Sequence, residues 1–327
     1  MSLISVIVTA YRRRQYLYNA LLSVKAQTLP RDKYEVIVVK DFEDPQVDGL
    51  IKEMGWRSVY SDSEYQGRMY LSGLKEASGD IIAFLDDDDT YEPGKLEYVY
   101  IVFSQNPDVG YLQHSFTPVG ADGSPRPCLA REAPRNLVPR SELKLTWSEV
   151  EKGKDYGVQD PVLFVLNRYR LFADKNSTTI AVRRELLERH KDVLAELPIA
   201  FDSFLFASAI VERASLYFSD AFLSLWRFHG SNFSTWYMLP DGDSHKMVAP
   251  YFYYQAYGLI GRKVLNYHPN YYVCLSEKHK LAYLGVARSL GLPVSSPSPD
   301  AETIEWCCSN GICPSELMMY LLSPVKQ

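Results

Sequence analysis

Four consecutive carboxylates, Asp86 to Asp89, follow the apolar stretch IIAFL at residues 81–85. Neighbouring carboxylates repel one another, so four of them at the end of a buried strand cost stability unless a cation neutralises them. Mg²⁺ and Mn²⁺ take such oxygens as ligands, together with phosphate oxygens of a substrate. The run therefore predicts a divalent metal site. The alternative is a solvated acidic loop or a helix N-terminus, which favours negative charge.

The elements that must position these carboxylates follow from the apolar pattern. Runs rich in β-branched residues predict strands covered on both faces, and apolar residues three and four apart predict helices. Strands are expected at 3–9, 34–39, 56–60, 80–85, 109–113 and 215–226, helices at 14–27, 45–54, 68–78, 93–104, 183–194 and 202–213, and a loop rich in Pro, Gly and Arg at 117–140. Alternating strands and helices predict an open, mainly parallel α/β sheet, in which ligands bind beyond the carboxyl ends of the strands.

The composition of the 327 residues limits the class of protein. Hydrophobic residues make up 46%, enough for a substantial core, which excludes disordered chains and small disulfide scaffolds. The net charge of −5 argues against a general nucleic-acid binder, because such a protein needs a basic face. The five cysteines include no CxxC pair, so reduced thiols are expected and a zinc site is not.

The N-terminal residues, MSLISVIVTAYRRRQ, contain a short apolar run with no basic region before it. This pattern indicates a buried strand and not a signal peptide. The sequence also has no apolar stretch of about 18 residues, the length that a membrane-spanning helix requires. We therefore expect a cytoplasmic protein, with peripheral contact to the cytosolic face of a membrane left open.

Five segments resemble family 2 glycosyltransferases of GT-A fold, in the order in which that family carries them. They are ISVIVTAY at 4–11, EVIVVKD at 35–41, GLKEASGDIIAFLDDDDTYEPGKLE at 73–97, NSTTIAVRREL at 176–186 and LWRFHGSNFS at 225–234. The resemblance implies a Rossmann-like mixed, mainly parallel sheet flanked by helices. It implies a glycosyltransferase domain at 1–235, with a nucleotide-binding half at 1–113 and an acceptor half at 114–235. Residues 236–327 then form a helical, tyrosine-rich C-terminal extension.

The resemblance also implies an activity. It is the metal-dependent, inverting transfer of a sugar from a nucleoside diphosphate donor to a hydroxyl group of a glycan, a lipid-linked acceptor or a small molecule. Mg²⁺ or Mn²⁺ would be the cofactor. The expected partners are the donor and the acceptor, nucleic acid is not expected, and a homodimer is left open.

The family's nucleotide contacts imply roles for residues at the ends of the first two strands. Thr9, Ala10 and Tyr11 would surround the base and ribose, and the Asp41 carboxylate would accept a hydrogen bond from an N–H of the base. The sequence departs from the family here, since Lys40 takes the position of the first acid of a pair. Further nucleotide-binding candidates are Arg68, Asp86 and Asp87.

The remaining roles concern the metal, the sugar and the acceptor. Asp88 and His229 are the candidate metal ligands, and Asp89 is the candidate contact to the sugar or acceptor. Asp202 is the candidate catalytic base, which would take the proton of the acceptor hydroxyl during in-line displacement. The alternative for Asp202 is a helix N-cap, a position that Asp favours.

Two other functions remain open from the residues. Asp86, Asp88 and Thr90 satisfy the Asp-x-Asp-x-Thr motif of haloacid-dehalogenase-like phosphatases, in which the first Asp is a nucleophile. That motif usually follows the first strand of its domain, whereas here a strand–helix–strand–helix unit precedes it. A relative that only binds a nucleotide or glycan is the other alternative.

Overall fold

Nine strands form one mixed sheet in the part of the chain that the computed structural model describes, residues 3–125, 142–152, 176–197 and 201–229. The strands are β1 Ile4–Ala10, β2 Tyr34–Lys40, β3 Arg57–Tyr60, β4 Ile81–Asp86, β5 Thr90–Tyr91, β6 Val109–Gly120, β7 Leu143–Leu145, β8 Ile180–Arg183 and β9 Ser215–Phe228. Their order is β3-β2-β1-β4-β8-β6-β9-β5, and β7 pairs with β9 outside this path. The helices are α1 Leu17–Lys25, α2 Pro45–Glu53, α3 Gln66–Glu76, α4 Lys95–Gln105, α5 Trp147–Glu151, α6 Arg184–Arg189, α7 Lys191–Glu196 and α8 Phe201–Val211.

The strands β3, β2, β1 and β4 pair in parallel, and helices cover both faces of β1, β2 and β4, whereas the edge strand β3 is largely exposed. Successive residues of β1 point to opposite faces. Val6 and Val8 pack in one core with α1, α2 and α4, whereas Ile7 packs in the other with α3 and α8. A strand buried on both faces needs apolar residues at nearly every position, which is why β1, β2 and β4 were predictable from the sequence.

The strand β8 makes the sheet mixed. It lies between β4 and β6 and is antiparallel to both, with Ile81 opposite Arg183 and Ala83 opposite Ala181. The start of β8 therefore lies beside the carboxyl end of β4, and the 3₁₀ turn Ser177–Thr179 that precedes β8 reaches the same edge. The end of β9 reaches this edge as well, because β5 pairs with β9 through Thr90 and Leu225.

Two predicted elements differ from the structure. The strand predicted to end at 113 continues to Gly120 because it pairs with β9, so the predicted loop begins later, and 126–141 lies outside the described residues. The helix predicted at 183–194 is two short helices, divided where His190 leaves helical geometry with φ −113° and ψ 19°. The helical, tyrosine-rich extension predicted at 236–327 lies outside the described residues. In the described part, no helix is long and apolar enough to span a bilayer.

Glu35 fastens β2 to the turn that leads into β4. Its Oε1 atom accepts hydrogen bonds from Ser5 Oγ over 2.6 Å, from the Ser78 N–H over 2.6 Å and from the Gly79 N–H over 3.2 Å. Arg57 pairs with the other oxygen. Although burial raises the pKa of Glu35, the hydrogen bonds from Ser5 and Ser78 and the Arg57 charge outweigh it and lower that pKa.

The lowered pKa predicts how stability depends on pH. An acid with a lower pKa in the folded state stabilises the protein above its unfolded pKa, which is about 4.3 for Glu, and this stabilisation is lost as pH falls through the folded value. Urea unfolding of the wild type and of Glu35→Gln at about pH 7 and about pH 3 measures the effect. We expect the wild type to be more stable than the variant at pH 7 and the difference to shrink at pH 3. A difference that does not change with pH would contradict the role given to Glu35.

Gly67 allows α3 to pack directly on the chain that follows α7. Its N–H donates to Leu197 O over 3.0 Å, and a Cβ at this position would lie 1.9 Å from Leu194 O. We therefore expect Gly67→Ala to lower the free energy of unfolding by about 3 kcal/mol. Gly49, in α2, is the matched control, because a Cβ there would meet no atom within 4 Å. Gly49→Ala should raise stability by about 1 kcal/mol, and equal effects of the two changes in urea unfolding would contradict this packing.

Candidate active site

Polar residues from four parts of the chain meet at the carboxyl edge of the parallel strands. Arg13 follows β1, the acidic run follows β4, the segment 176–179 precedes β8, and His229 follows β9. Contacts join residues that are far apart in sequence, since Ser177 Oγ donates to Asp86 Oδ2 over 2.8 Å. The sheet topology therefore builds one site from both halves of the predicted domain.

Asp86 is held by two hydroxyl groups. Tyr70 Oη donates to Asp86 Oδ1 over 2.8 Å, and Ser177 Oγ donates to the other carboxylate oxygen. Burial and the charge of Asp88 raise the pKa of Asp86 to about 6, against the lowering effect of the two hydrogen bonds. The protein thus orients this carboxyl group through its own side chains.

Arg13 pairs with two carboxylates of the run. Its Nε donates to Asp87 Oδ2 over 2.9 Å, and its Nη2 pairs with Asp87 Oδ1 and lies 2.8 Å from Asp88 Oδ2. Asp87 is 4% exposed. Burial raises its pKa, Arg13 lowers it, and the charge of Asp88 raises it again. A fixed guanidinium therefore compensates part of the negative charge of the run.

Asp88 and His229 form a close pair. His229 Nε2 lies 3.0 Å from Asp88 Oδ2, and both side chains are less than 10% exposed. Arg13 Nη1 lies 3.4 Å from the same imidazole nitrogen, and the Tyr16 ring packs beside His229 with 5.0 Å between ring centres. The two predicted metal ligands are thus brought together, 141 residues apart in sequence.

The donor set of this pair fits a divalent metal. Two ligands in adjacent positions of an octahedral ion, each about 2.1 Å from it, lie about 3 Å apart, which matches the Asp88–His229 separation of 3.0 Å. The described residues contain no group of three or more His, Cys, Asp or Glu side chains that could hold a metal. Two protein ligands completed by phosphate oxygens is a common arrangement for Mg²⁺ sites.

Asp89 is directed into the protein and is 2% exposed. Its carboxylate accepts hydrogen bonds from the backbone N–H of Arg227 over 2.9 Å and from Asn176 Nδ2 over 3.3 Å. Burial and the charge of Asp88 raise its pKa well above the ordinary value. Contact between Asp89 and a sugar, as the resemblance implies, would require the carboxylate to leave these partners.

A lysine, Lys95, lies on the core side of the acidic run. Lys95 is 0% exposed, and its Nζ donates to the backbone oxygen of Thr178 and lies 3.5 Å from the centre of the Tyr91 ring. Burial lowers the pKa of Lys95, while the charges of Asp89 and Asp86 act in the opposite direction. The acidic run is therefore paired with Arg13 on its more exposed side, while Lys95 lies on the core side within electrostatic reach of Asp86 and Asp89.

Asp202 lies in the first turn of α8 and is not the residue that precedes the helix. Its Oδ2 accepts the backbone N–H of Asn176 over 2.9 Å. Asn176 has a φ of +61°, and its side chain caps the following turn through the Thr178 N–H. Because Asn176 also contacts Asp89, the candidate base is connected to the acidic run through one residue.

The nucleotide candidates lie at the ends of β1 and β2. Asp41 Oδ1 accepts the backbone N–H of Arg12 over 2.8 Å, and Tyr11 Oη donates to Glu64 Oε1 over 3.3 Å. Thr9 and Ala10 end β1 beside them. The unexpected Lys40 is 6% exposed, and its Nζ lies 2.9 Å from an Asp48 oxygen of α2. Lys40, which departs from the family pattern, therefore packs against α2, and Asp41 remains the carboxylate at the strand end.

Arg68 differs from the other nucleotide candidates in its contacts. Its Nε donates to Ala195 O over 2.9 Å, and its guanidinium lies 4.4 Å from the centre of the Tyr65 ring. These contacts join α3 to α7. A role at the nucleotide would require the side chain to move from α7.

Sequence reasoning did not select Arg13, Tyr70 or Asn176, although all three contact the acidic run. Arg13 is one of three consecutive arginines, and its position directly after the first strand was the available signal. Asn176 belongs to the NSTT segment quoted above, in which polar residues precede a strand. Tyr70 carried no signal, because a tyrosine on a helix is typical of packing.

Comparison with known proteins identifies related sequences. The family described as glycosyl transferase family 2 matches residues 5–153, a range that contains β1 to β7 and the acidic run. A relative from Nostoc sp., named an uncharacterized glycosyltransferase, is 31% identical over 117 residues, or 34% of this chain and 36% of the relative. The chain spans about a third of the length of the curated relatives it matches. The resemblance drawn from the sequence motifs is confirmed.

Solved structures share the fold. S. aureus TarS 1-349 in complex with UDP-GlcNAc has a TM-score of 0.54 at 18% identity, over 88% of this chain and 73% of that chain. The mannosyltransferase PcManGT from Pyrobaculum calidifontis, in complex with GDP-Man and Mn²⁺, has a TM-score of 0.53 at 14% identity, over 98% of this chain and 87% of that chain. The predicted GT-A fold class is confirmed, and the C-terminal extension lies outside the described residues.

Proposed function

We propose that this chain, whose residues 5–153 match the family described as glycosyl transferase family 2, transfers a sugar from a nucleoside diphosphate sugar to a hydroxyl acceptor. The transfer inverts the anomeric centre and depends on Mg²⁺ or Mn²⁺. The acceptor is a glycan, a lipid-linked molecule or a small molecule, as in the synthesis of polysaccharides and glycoconjugates. The observation that carries the proposal is the meeting of Asp88, His229 and Asp202 at one edge of a family 2 sheet.

The donor binds beyond β1 and β2 in this proposal. The Tyr11 ring offers an aromatic face to the base, and Asp41 offers an acceptor to a base N–H. Thr9 and Ala10, at the end of β1, lie next to the ribose, and Asp86 and Asp87 line the path from ribose to diphosphate. Support for this arrangement comes from the common position of these residues at the carboxyl edge of parallel strands, where ligands of open α/β sheets bind.

Asp88 and His229 hold the divalent metal. When bound, the metal supplies positive charge that stabilises the departing nucleoside diphosphate. These two side chains would hold the metal together, since Asp88 Oδ2 and His229 Nε2 lie 3.0 Å apart. Both side chains are mostly buried, so the pair is oriented by packing before the donor arrives.

Asp202 takes the proton from the acceptor hydroxyl. A carboxylate is a suitable general base for this step when it is held within hydrogen-bond reach of the hydroxyl. The Asn176 N–H holds one carboxylate oxygen of Asp202 over 2.9 Å. The resemblance assigns the acceptor to this half of the domain, residues 114–235. Peripheral membrane contact and a homodimer remain predictions of the sequence.

A thermal-shift screen tests the proposal. UDP-, GDP-, CDP- and TDP-sugars are added to the purified full-length protein with and without Mn²⁺, and the melting temperature is measured. We expect one nucleotide to raise the melting temperature, and to raise it more with metal than without, because a ligand that binds the folded state stabilises it. No response to any donor would contradict the proposal. Phosphate release from a simple phosphomonoester, with an aspartyl phosphate at Asp86, would support the phosphatase alternative instead.

A further inference from the structure

The Arg13 guanidinium lies beside both candidate metal ligands, which are themselves in contact. Its Nη2 lies 2.8 Å from Asp88 Oδ2, and its Nη1 lies 3.4 Å from His229 Nε2. The same group makes a two-pronged pair with Asp87 through Nε and Nη2. Arg13 thus contacts both atoms that would bind the metal. The separate carboxylate of Asp87 pairs with the same guanidinium.

The neighbouring arginines make different contacts. Arg12 pairs with Glu64 over 3.1 Å, and both side chains are about 70% exposed. The Arg14 guanidinium lies 4.9 Å from the centre of the Phe42 ring and is exposed. The Arg13 side chain is 27% exposed and its two carboxylate partners less than 10%. Of the three consecutive arginines, Arg13 is therefore the one built into the acidic site.

Charge makes the guanidinium and a metal ion competitors. A guanidinium does not lose its proton in proteins, so its positive charge is permanent. A divalent ion bound to Asp88 and His229 would lie within a few ångströms of that charge, and the two cations repel strongly in a partly buried site. Binding of the metal to Asp88 therefore requires Arg13 to leave that carboxylate. The pair with Asp87 keeps the guanidinium at the site while it moves away from Asp88.

We propose that Arg13 is a resident cation that holds the metal site closed until the donor arrives. Without donor, Arg13 neutralises Asp87 and Asp88 and weakens metal binding. The diphosphate of the donor brings new negative charge, to which the guanidinium transfers while it keeps its pair with Asp87. Metal and donor diphosphate then bind cooperatively, because each favours the displaced position of Arg13. This inference rests on the proposed function, since it assumes that Asp88 and His229 bind the metal.

Direct measurement of Mn²⁺ binding tests this role. The probe is the electron paramagnetic resonance signal of free Mn²⁺, titrated into the full-length protein without any nucleotide. We expect Arg13→Gln to bind Mn²⁺ at least about tenfold more tightly than the wild type, because the repelling charge is gone. Arg14→Gln removes the same charge from an exposed neighbour and should bind Mn²⁺ like the wild type. Equal or weaker Mn²⁺ binding by Arg13→Gln would overturn the inference.

A second arm measures the contribution to the donor. Isothermal titration of the nucleoside diphosphate selected by the thermal-shift screen is carried out without metal. Arg13→Gln should bind the diphosphate about tenfold more weakly than the wild type and Arg14→Gln, because a charge-assisted contact to phosphate is lost. Unchanged diphosphate affinity would show that Arg13 does not transfer to the donor, and would overturn that part of the inference.

Two further variants distinguish failure of this inference from failure of the proposed metal site. If Arg13→Gln does not fold, Arg13→Met replaces it, since it also removes the positive charge and keeps a long side chain. It should bind Mn²⁺ more tightly than the wild type, and no increase overturns the inference. Asp88→Asn should abolish Mn²⁺ binding. If the wild type binds Mn²⁺ through Asp88 and the Arg13 variants do not differ from it, this inference alone fails. If neither the wild type nor any variant binds Mn²⁺, with or without the diphosphate, both this inference and the proposed metal site fail.

Discussion

Asp202→Asn is expected to lower the rate of sugar transfer by about 10²- to 10⁴-fold, the usual contribution of a general base. The amide has nearly the shape of the carboxylate and keeps an oxygen for the Asn176 N–H, so the start of α8 should remain in place. It cannot accept a proton at neutral pH. Donor binding should change little, because Asp202 belongs to the acceptor side of the proposed site.

Two measurements check this result. The turnover rate is followed by release of the nucleoside diphosphate, and donor affinity is measured by isothermal titration. Asp192→Asn is the matched control, because Asp192 is an exposed carboxylate of α7, the helix before α8, and should leave both quantities unchanged. Loss of donor affinity with retained turnover in Asp202→Asn would refute the assignment of the base.

Asp88→Asn should have the second large effect. We expect Mn²⁺ affinity to fall by more than about 100-fold and the transfer rate by about 10³-fold, because a charged ligand is lost and the leaving diphosphate is less well stabilised. His229→Gln should change both quantities in the same direction, since His229 Nε2 lies 3.0 Å from Asp88 Oδ2. The effect on the free energy of unfolding has two opposing parts, because the change relieves repulsion among the four carboxylates but weakens the contacts of Asp88 with Arg13 and His229.

The control for this prediction is Asp32→Asn. Asp32 is exposed in the turn before β2, at the end of the sheet away from the site, and its loss changes the net charge by the same amount. Mn²⁺ binding is measured by electron paramagnetic resonance and transfer by release of the nucleoside diphosphate. Asp88→Asn with the Mn²⁺ affinity of the wild type would show that the metal, if bound, is held elsewhere.

The central strands of the fold could be predicted because burial on both faces leaves an uninterrupted apolar run. The structure places β1, β2 and β4 within one residue of the sequence-based boundaries. The two-residue strand β5 could not be predicted, because its only signal is its pairing with β9 more than 130 residues later. The division at His190 was missed for a related reason, since both short helices carry the apolar spacing of a longer one.

The acidic residues of the candidate site were predictable, but their partners were not. Four adjacent carboxylates after a buried strand are a rare pattern with a clear electrostatic meaning. Arg13 and Lys95 could not be assigned to them, because only the folded chain shows which basic side chain faces the run and which is buried behind it. Asn176 likewise gained a role only from its contacts with Asp89 and Asp202.

The antiparallel strand β8 has a consequence for the autonomy of the family-matched segment. Residues 5–153 contain β4 and β6, but the strand that joins them comes from residues 180–183. A fragment that ends at 153 would leave one edge of β4 unpaired and the acidic run without Ser177 and His229. During synthesis, Asp86 and Asp88 can make these contacts only after Ser177 and His229, which are synthesised 91 and 141 residues later. The family-matched segment, residues 5–153, is therefore smaller than the unit that builds the sheet and the site. The acidic run obtains all its partners only when the second half of the domain has been synthesised.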